Sequence, residues 1–228
     1  MHWRNHLSHT QELILQATKQ CSWHNSVVVL GSGLLLDVPV EQLSQRFKKV
    51  MLVDVVQLRS VRHRCQKLAS VTLLEHDITG LAESLLAYRR HDPLPTPNAN
   101  LPDAAQNSDL IISCNLLSQL PLTPSQRLQQ HHGIDQNQLT PWCTAVLQNH
   151  LSLLAEQTGN CGLISDIKHH YLNEKGSQLA CHDMLLGLSL GSPDQQWQWT
   201  IAPLGELSKH CQLHATVQGF YNWSPITD

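Results

Sequence analysis

Residues 27–39 read VVVLGSGLLLDVP. A run of β-branched residues enters Gly31-Ser32-Gly33, and a carboxylate, Asp37, and a proline, Pro39, follow. Unbroken apolarity over so short a run is what a strand covered on both faces requires. A glycine turn after such a strand lets the backbone approach a ligand closely. It sits at the carboxyl edge of a sheet, where open α/β sheets bind ligands. The turn is therefore a candidate ligand cradle, and the rest of the chain decides what it holds.

Four further apolar runs follow: VMLV (50–53), VTLL (71–74), DLIIS (109–113) and CGLIS (161–165). Helix-length segments separate the first three, over 38–47 and 57–68, and a third lies at 81–89. A leading helix is expected over 10–21, capped by Thr10, with Leu13, Ile14 and Ala17 on one side. Strand and helix alternate, so the expected fold is α/β: a three-layer, doubly wound, mostly parallel sheet. Residues 91–108 carry four prolines and read as a long surface loop. His131 and His132 fall in a polar connection. A helix is expected over 140–158, with Thr140 as N-cap, Pro141 at the first turn and Gly159 as its stop. Another is expected near 177–190. Two strands, 197–203 and 213–223, close the chain as an antiparallel hairpin. The expected organisation is an N-terminal helical segment, 1–24, and one domain, 25–228.

Composition narrows the function. The chain has 228 residues, 41% of them apolar and only 14% charged. Lys plus Arg number 15 against 18 Asp plus Glu, so no global field draws in nucleic acid or an anionic membrane. The basic stretches RFKK (46–49) and RSVRHRCQK (59–67) read as solvated helix faces. Seven cysteines lie at irregular spacing, the N-terminus has no apolar core of a secretory signal, and no run approaches a membrane span. A reducing cytoplasm with free thiols is expected. HCQLH (210–214) and CH (181–182) lack the spacing of a zinc site, so no metal is expected. Neither GSG nor GLSLG (187–191) has the G-x-S-x-G spacing of a nucleophile elbow.

The turn's own chemistry separates two cofactors. A dinucleotide fingerprint needs a small residue three positions after its second glycine, and this chain has Leu36 there. Asp37 reads as the N-cap of the next helix. Its carboxylate would then occupy the positive terminus that a pyrophosphate wants. A cofactor bearing an ammonium and a sulfonium suffers no such repulsion, so the local chemistry leans to S-adenosylmethionine. Asp54 ends VMLVD, beside Val55, where a carboxylate can accept both ribose hydroxyls. Asp77, in LLEHDITG, can accept from an adenine amino group, with Ile78 beside the ring. Asn115 ends the fourth strand at the topological switch point, where it can touch cofactor or substrate or cap the segment after it.

Together VVVLGSG, VMLVD, EHDIT and DLIISCNLLSQLP resemble the class I S-adenosylmethionine-dependent methyltransferases. The resemblance covers roughly residues 25–223. It implies a Rossmann-like sheet of about seven strands, the last antiparallel and inserted beside the fifth. It implies methyl-donor contacts at Gly31, Gly33, Asp54, Asp77 and Asn115, with Ser32, Asp37, Val55 and Ile78 adjoining. Val29 stands where the family usually has an acid, Leu35 where its third glycine falls, and Asp37 is a candidate replacement carboxylate. Asn115 lacks the aromatic-proline signature of enzymes that methylate base or amide nitrogens. Candidate bases are Asp166, which ends CGLISD, and His169, next to His170 and Tyr171. The expected function is methyl transfer from S-adenosylmethionine to a small-molecule or protein acceptor. The alternatives are an NAD(P)-dependent oxidoreductase and a catalytically silent methyltransferase-like binding domain.

Overall fold

A computed structural model describes residues 2–226. The first five strands, β1 (Ser26–Leu30), β2 (Lys49–Asp54), β3 (Val71–Glu75), β4 (Leu110–Cys114) and β5 (Asn160–Leu172), pair in parallel. The sheet continues through β8 (Gln212–Phe220) to β7 (Gln195–Ala202), in the order β3-β2-β1-β4-β5-β8-β7. β8 runs antiparallel to both of its neighbours. This is the expected doubly wound sheet with a reversed C-terminal strand. An eighth strand, β6 (Gln178–Asp183), adds to it.

The continuous apolar runs are explained by two cores. Val27, Val29, Leu110 and Ile112 face one layer, formed by Leu13, Ile14 and Ala17 of α1 (Arg4–Lys19), with Val40 and Leu43 of α2 (Val40–Arg46) and Val61 of α3 (Arg59–Cys65). Val28, Leu30, Ile111 and Leu163 face the other layer, against Leu147 and Leu154 of α6 (Gln136–Ala155). Every one of these strand side chains is fully buried. Each contributes about 1.5–3 kcal/mol by leaving water. β-branched residues suit such a two-sided strand, which is why these runs were legible.

Several sequence expectations need correction. α1 begins at Arg4, and Thr10 lies inside it, buried, with Oγ1 lacking a partner; it is no cap. His6, Thr10, Leu13, Ile14 and Ala17 form one buried face at helical spacing. α6 begins at Gln136, because Asp135 caps it by accepting from the Gln138 N–H (3.0 Å). Thr140 and Pro141 are therefore interior positions. The polar connection holding His131 and His132 is itself helical, α5 (Leu122–His132), stopped by Gly133 in the left-handed region. The helix expected near 177–190 is β6 and a set of turns.

That last error has a local cause. β5 continues past the end of β4, whose last partner is Ile164, and β6 takes up the vacated edge from Lys168 to Leu172. The reversal is built by NEKGS (173–177). Asn173 Oδ1 accepts from the N–H groups of Lys175 and Ser177, and Gly176 takes φ +78°. Gly159 does not stop α6, which ends at Ala155. A Cβ at Gly159 would lie 2.0 Å from the Ser108 carbonyl oxygen, so glycine is there to let the chain enter β5 tightly against β4. Residues 91–108 form the expected long connection, following α4 (Ala82–Ala87), though Leu101 and Ala105 plug into the core.

Candidate functional site

The carboxyl edges of β1, β2 and β4 converge on the glycine turn. The Gly31 N–H donates to the Val53 carbonyl (3.0 Å), and the Gly33 N–H donates to Asp54 Oδ2 (2.8 Å). The two glycines differ in purpose. A Cβ on Gly31, at φ +78°, would lie 2.9 Å from both the Cys114 carbonyl oxygen and Leu116 Cβ, so Gly31 lets the ends of β1 and β4 close together. Nothing lies within 4 Å of the same position on Gly33, which faces open space. Ser32 between them is fully buried, and its Oγ has no hydrogen-bond partner.

A cavity of about 330 Å³ runs from the end of β2 across β3. Asp54, Val55, Asp77 and Ile78 line it, and so do His76, Leu116 and Gln119, which sequence reading missed. Its volume suits a small ligand, and its walls are mainly apolar. Asp54 Oδ1 accepts no hydrogen bond among the described residues and so can take a further donor. Asp77 is more occupied than expected. Its Oδ1 accepts from Thr79 N–H (2.9 Å) and Oγ–H (2.6 Å), and its Oδ2 accepts from Ala82 N–H (2.7 Å) at the start of α4. Burial pushes the Asp77 pKa up, but these bonds outweigh it and hold the carboxyl below its ordinary value. The sequence suggested an adenine-facing group; the structure gives this carboxylate a capping role as well.

Asp37 is not the N-cap of the next helix. α2 begins at Val40 behind Pro39, without a side-chain cap. Asp37 turns instead toward β4, where Asn115 Nδ2 donates to its Oδ2 (2.8 Å) and the Cys114 thiol approaches at 3.7 Å. Burial raises the Asp37 pKa, and the Asn115 hydrogen bond only partly offsets it. Among the described residues no Lys or Arg pairs with it; Arg64 reaches the turn at the Leu35 carbonyl, but its guanidinium is held by Glu41. Asn115 sits at φ +49°, and its Oδ1 is buried without a partner.

α1 supplies a residue that sequence reading missed. His6 is 2% exposed, stacks on Trp199 with ring centroids 4.0 Å apart, and accepts at Nδ1 from Trp197 Nε1–H (3.1 Å). Burial lowers its pKa to about 4, so the ring is neutral and Nε2 carries the proton. That Nε2 lies 3.3 Å from Asn115 Nδ2, which is also a donor. Turning the amide over would satisfy His6 but would set Oδ1 against Asp37. Either way, this corner holds a polar group without a complement.

The candidate bases prove to be bonded to each other. Asp166 is 5% exposed at a bulge in β5. Its Oδ1 accepts from Ser118 Oγ–H, and its Oδ2 lies 2.6 Å from His169 Nε2. His170 points elsewhere, to Gln178 and Thr216. His210 pairs with Glu174 at an exposed position. Among the described residues no three His, Cys, Asp or Glu side chains gather as metal ligands would.

Strand order, reversed β8 and a glycine turn at the β1 edge together decide the architecture. The fold is that of a class I methyltransferase-like Rossmann domain. No family model matches the sequence, and no curated protein does. Among solved structures, the N-methyltransferase NodS from Bradyrhizobium japonicum with S-adenosyl-L-homocysteine is 13% identical over 94% of this chain and 86% of that one, with a TM-score of 0.42. Magnesium protoporphyrin IX methyltransferase from Synechocystis, with bound S-adenosylmethionine, is 12% identical over 93% and 79%, with a TM-score of 0.45. The YcgJ protein from Bacillus subtilis is 14% identical over 96% and 100%, with a TM-score of 0.44. The fold assignment rests on strand order, not on these distant likenesses. No helix among the described residues is long and apolar enough to cross a membrane.

Proposed function

We propose that this chain binds S-adenosylmethionine and transfers its methyl group to a small-molecule or protein acceptor in the cytoplasm. The observation that carries this reading is Asp37: a partly buried carboxylate beside the glycine turn, without a cationic partner among the described residues. The cofactor's ammonium would supply the missing charge. Ser32 Oγ and Asn115 Oδ1, both buried without partners, offer a donor and an acceptor for its amino-acid end. Asp54 would take the ribose hydroxyls, while Val55 and Ile78 would flank the base in the apolar cavity. The cofactor supplies an electrophilic methyl on a sulfonium; the protein holds and orients it. A dinucleotide fits less well, because an anionic pyrophosphate at the glycine turn would leave the Asp37 carboxylate without a counter-charge.

A thermal-shift series tests this. S-adenosylhomocysteine at a hundred times its dissociation constant should stabilise the fold by about 2.7 kcal/mol. For a chain of this size that raises Tm by roughly 5–10 °C. Asp54→Ala should remove the shift at the same concentration. A shift with NAD and none with S-adenosylhomocysteine would replace this reading by the oxidoreductase one.

A further inference from the structure

Among the described residues, fourteen large apolar side chains stand exposed. Five of them, Leu34, Leu36, Val55, Val56 and Leu58, lie on two neighbouring turns at the carboxyl edge of the sheet, one after β1 and one after β2. Two contacts join the turns. The Gly33 N–H donates to Asp54 Oδ2 (2.8 Å), and Arg64, on the helix that follows the second turn, donates to the Leu35 carbonyl (2.7 Å). A clustered apolar surface of this kind marks a place that something covers. Val55 lines the nucleoside cavity, but Leu34, Leu36, Val56 and Leu58 do not, so filling that cavity does not account for them. These four are between 43% and 56% exposed.

Both turns fold polar groups inward. The Leu35 carbonyl accepts from Arg64, and the Leu36 carbonyl accepts from Gln11 Nε2–H (2.8 Å). Gln57, between Val56 and Leu58, is buried, and its Nε2 donates to the carbonyls of Leu52 (3.0 Å) and Leu74 (3.2 Å). Its own carbonyl accepts from Arg62 Nε–H, and the Leu58 carbonyl accepts from the Arg62 N–H. These groups lose no partner when the turns leave water. The charge beside the patch has one sign. α3 leads away from Leu58 with Val61 and Cys65 buried, so Arg59 and His63 lie on its outer side, with Lys67 just beyond its end. All three are exposed and make no side-chain hydrogen bond among the described residues, whereas Arg62 is held by Glu75 and Arg64 by Glu41. Asp37 turns in to Asn115, and Asp54 stays at the cavity mouth. The chain's formal net charge is −3. Exposed charges more than about 8–10 Å away are largely screened, so a surface docked here meets this stripe.

We infer that this corner docks on an anionic bilayer surface. Leu34, Leu36, Val56 and Leu58 enter the boundary between headgroups and acyl chains, and Arg59 and Lys67 meet the anionic headgroups. A bilayer boundary takes aliphatic side chains without a shaped partner. Protein-binding patches favour aromatic residues and Met, and this patch is wholly aliphatic. A second copy seated on it would set two basic stripes side by side, like charge against like. The surface stands whatever the cavity binds. Under the methyl-transfer reading, Val55 joins the patch to the cavity, so docking turns the cavity mouth toward lipid and a lipid-soluble acceptor reaches it without crossing water.

Co-sedimentation of the full chain with vesicles tests this. Vesicles of phosphatidylcholine mixed with phosphatidylserine should pellet the protein, and phosphatidylcholine alone should bind it roughly tenfold more weakly or worse. Arg59→Gln combined with Lys67→Gln should weaken binding to the mixed vesicles about twenty-fivefold, near fivefold for each charge. Leu36→Ser combined with Val56→Ser should weaken it by about tenfold or more. Both positions are exposed, so the urea midpoint of that variant should stay close to wild type. Failure of the wild-type protein to pellet with the mixed vesicles overturns the proposal, and so does binding that both double variants retain in full. A lipid-free dimer in sedimentation equilibrium that Leu36→Ser with Val56→Ser dissolves would give the patch to a second copy instead. Calorimetry with S-adenosylhomocysteine reads the cavity separately, so the surface and the cofactor reading can each fail alone.

Discussion

Replacing Asp37 by asparagine should make the protein more stable and worse at binding its cofactor. Burial holds the Asp37 pKa above its ordinary value, so the ionised form at neutral pH is disfavoured by its surroundings. Asparagine keeps the shape and can still accept from Asn115 Nδ2, while the poorly solvated charge disappears. The expected gain is about 1 kcal/mol, the low end for neutralising a buried charge. It would be read as a higher urea midpoint at unchanged m value. The same change removes the counter-charge for a bound ammonium. Affinity for S-adenosylmethionine should fall about thirtyfold or more, the scale of a charge-assisted hydrogen bond of roughly 2 kcal/mol or above. Opposite signs are the mark of a residue retained for binding at the expense of stability. A destabilised Asp37→Asn protein with unchanged affinity would make Asp37 a structural residue.

Acid should weaken the fold well before its carboxylates protonate. His6 and His150 are both buried, and burial lowers each pKa from 6.5 to about 4. His150 Nε2 lies 2.9 Å from Ser113 Oγ, while its Nδ1 has no partner. In the unfolded chain both rings take up a proton near pH 6.5, but in the folded chain only near pH 4. Between those values the unfolded state binds more protons, so stability falls as pH falls. It is present in full above about pH 6.5 and flattens below about 4. Each ring contributes about 3 kcal/mol over that window. Asp37 works the other way, since its raised pKa relieves a penalty on acidification, but one carboxyl opposes two imidazoles. Urea unfolding from pH 7 to 4.5 should show the fall, and His150→Asn should roughly halve its slope. A flat profile would mean that these rings are protonated in the fold.

Much of the sheet was legible because VVVL, VMLV and DLIIS are apolar without alternation, which only a strand covered on both faces explains. β6 was not, because SQLACHDMLLGLSL has helical spacing of its apolar residues, and only the NEKGS reversal and the long β5 reveal a hairpin. The start of α6 was misread because Thr140-Pro141 imitates a helix start, whereas Asp135 makes the observed cap. At the site, Gly31, Asp54, Asp77 and Asn115 stood out because each ends a strand or follows one within two residues at the same sheet edge. His6 and Ser118 carried no such signal. Their partners, Asn115 and Asp166, are distant in sequence, and nothing in RNHL (4–7) or LLSQL (116–120) announces that packing will bring them together. The Asp166–His169 pair was visible only as two candidates; the bulge in β5 turns both onto one face.

The measurement that tests the central claim most directly is calorimetric titration of the purified, nucleoside-free protein with S-adenosylhomocysteine, with NAD run in parallel. One site per chain is expected, with a dissociation constant on the order of micromolar, equivalent to about −8 kcal/mol, and no heat from NAD. A folded sample that gives no heat with S-adenosylhomocysteine at millimolar concentration would contradict it.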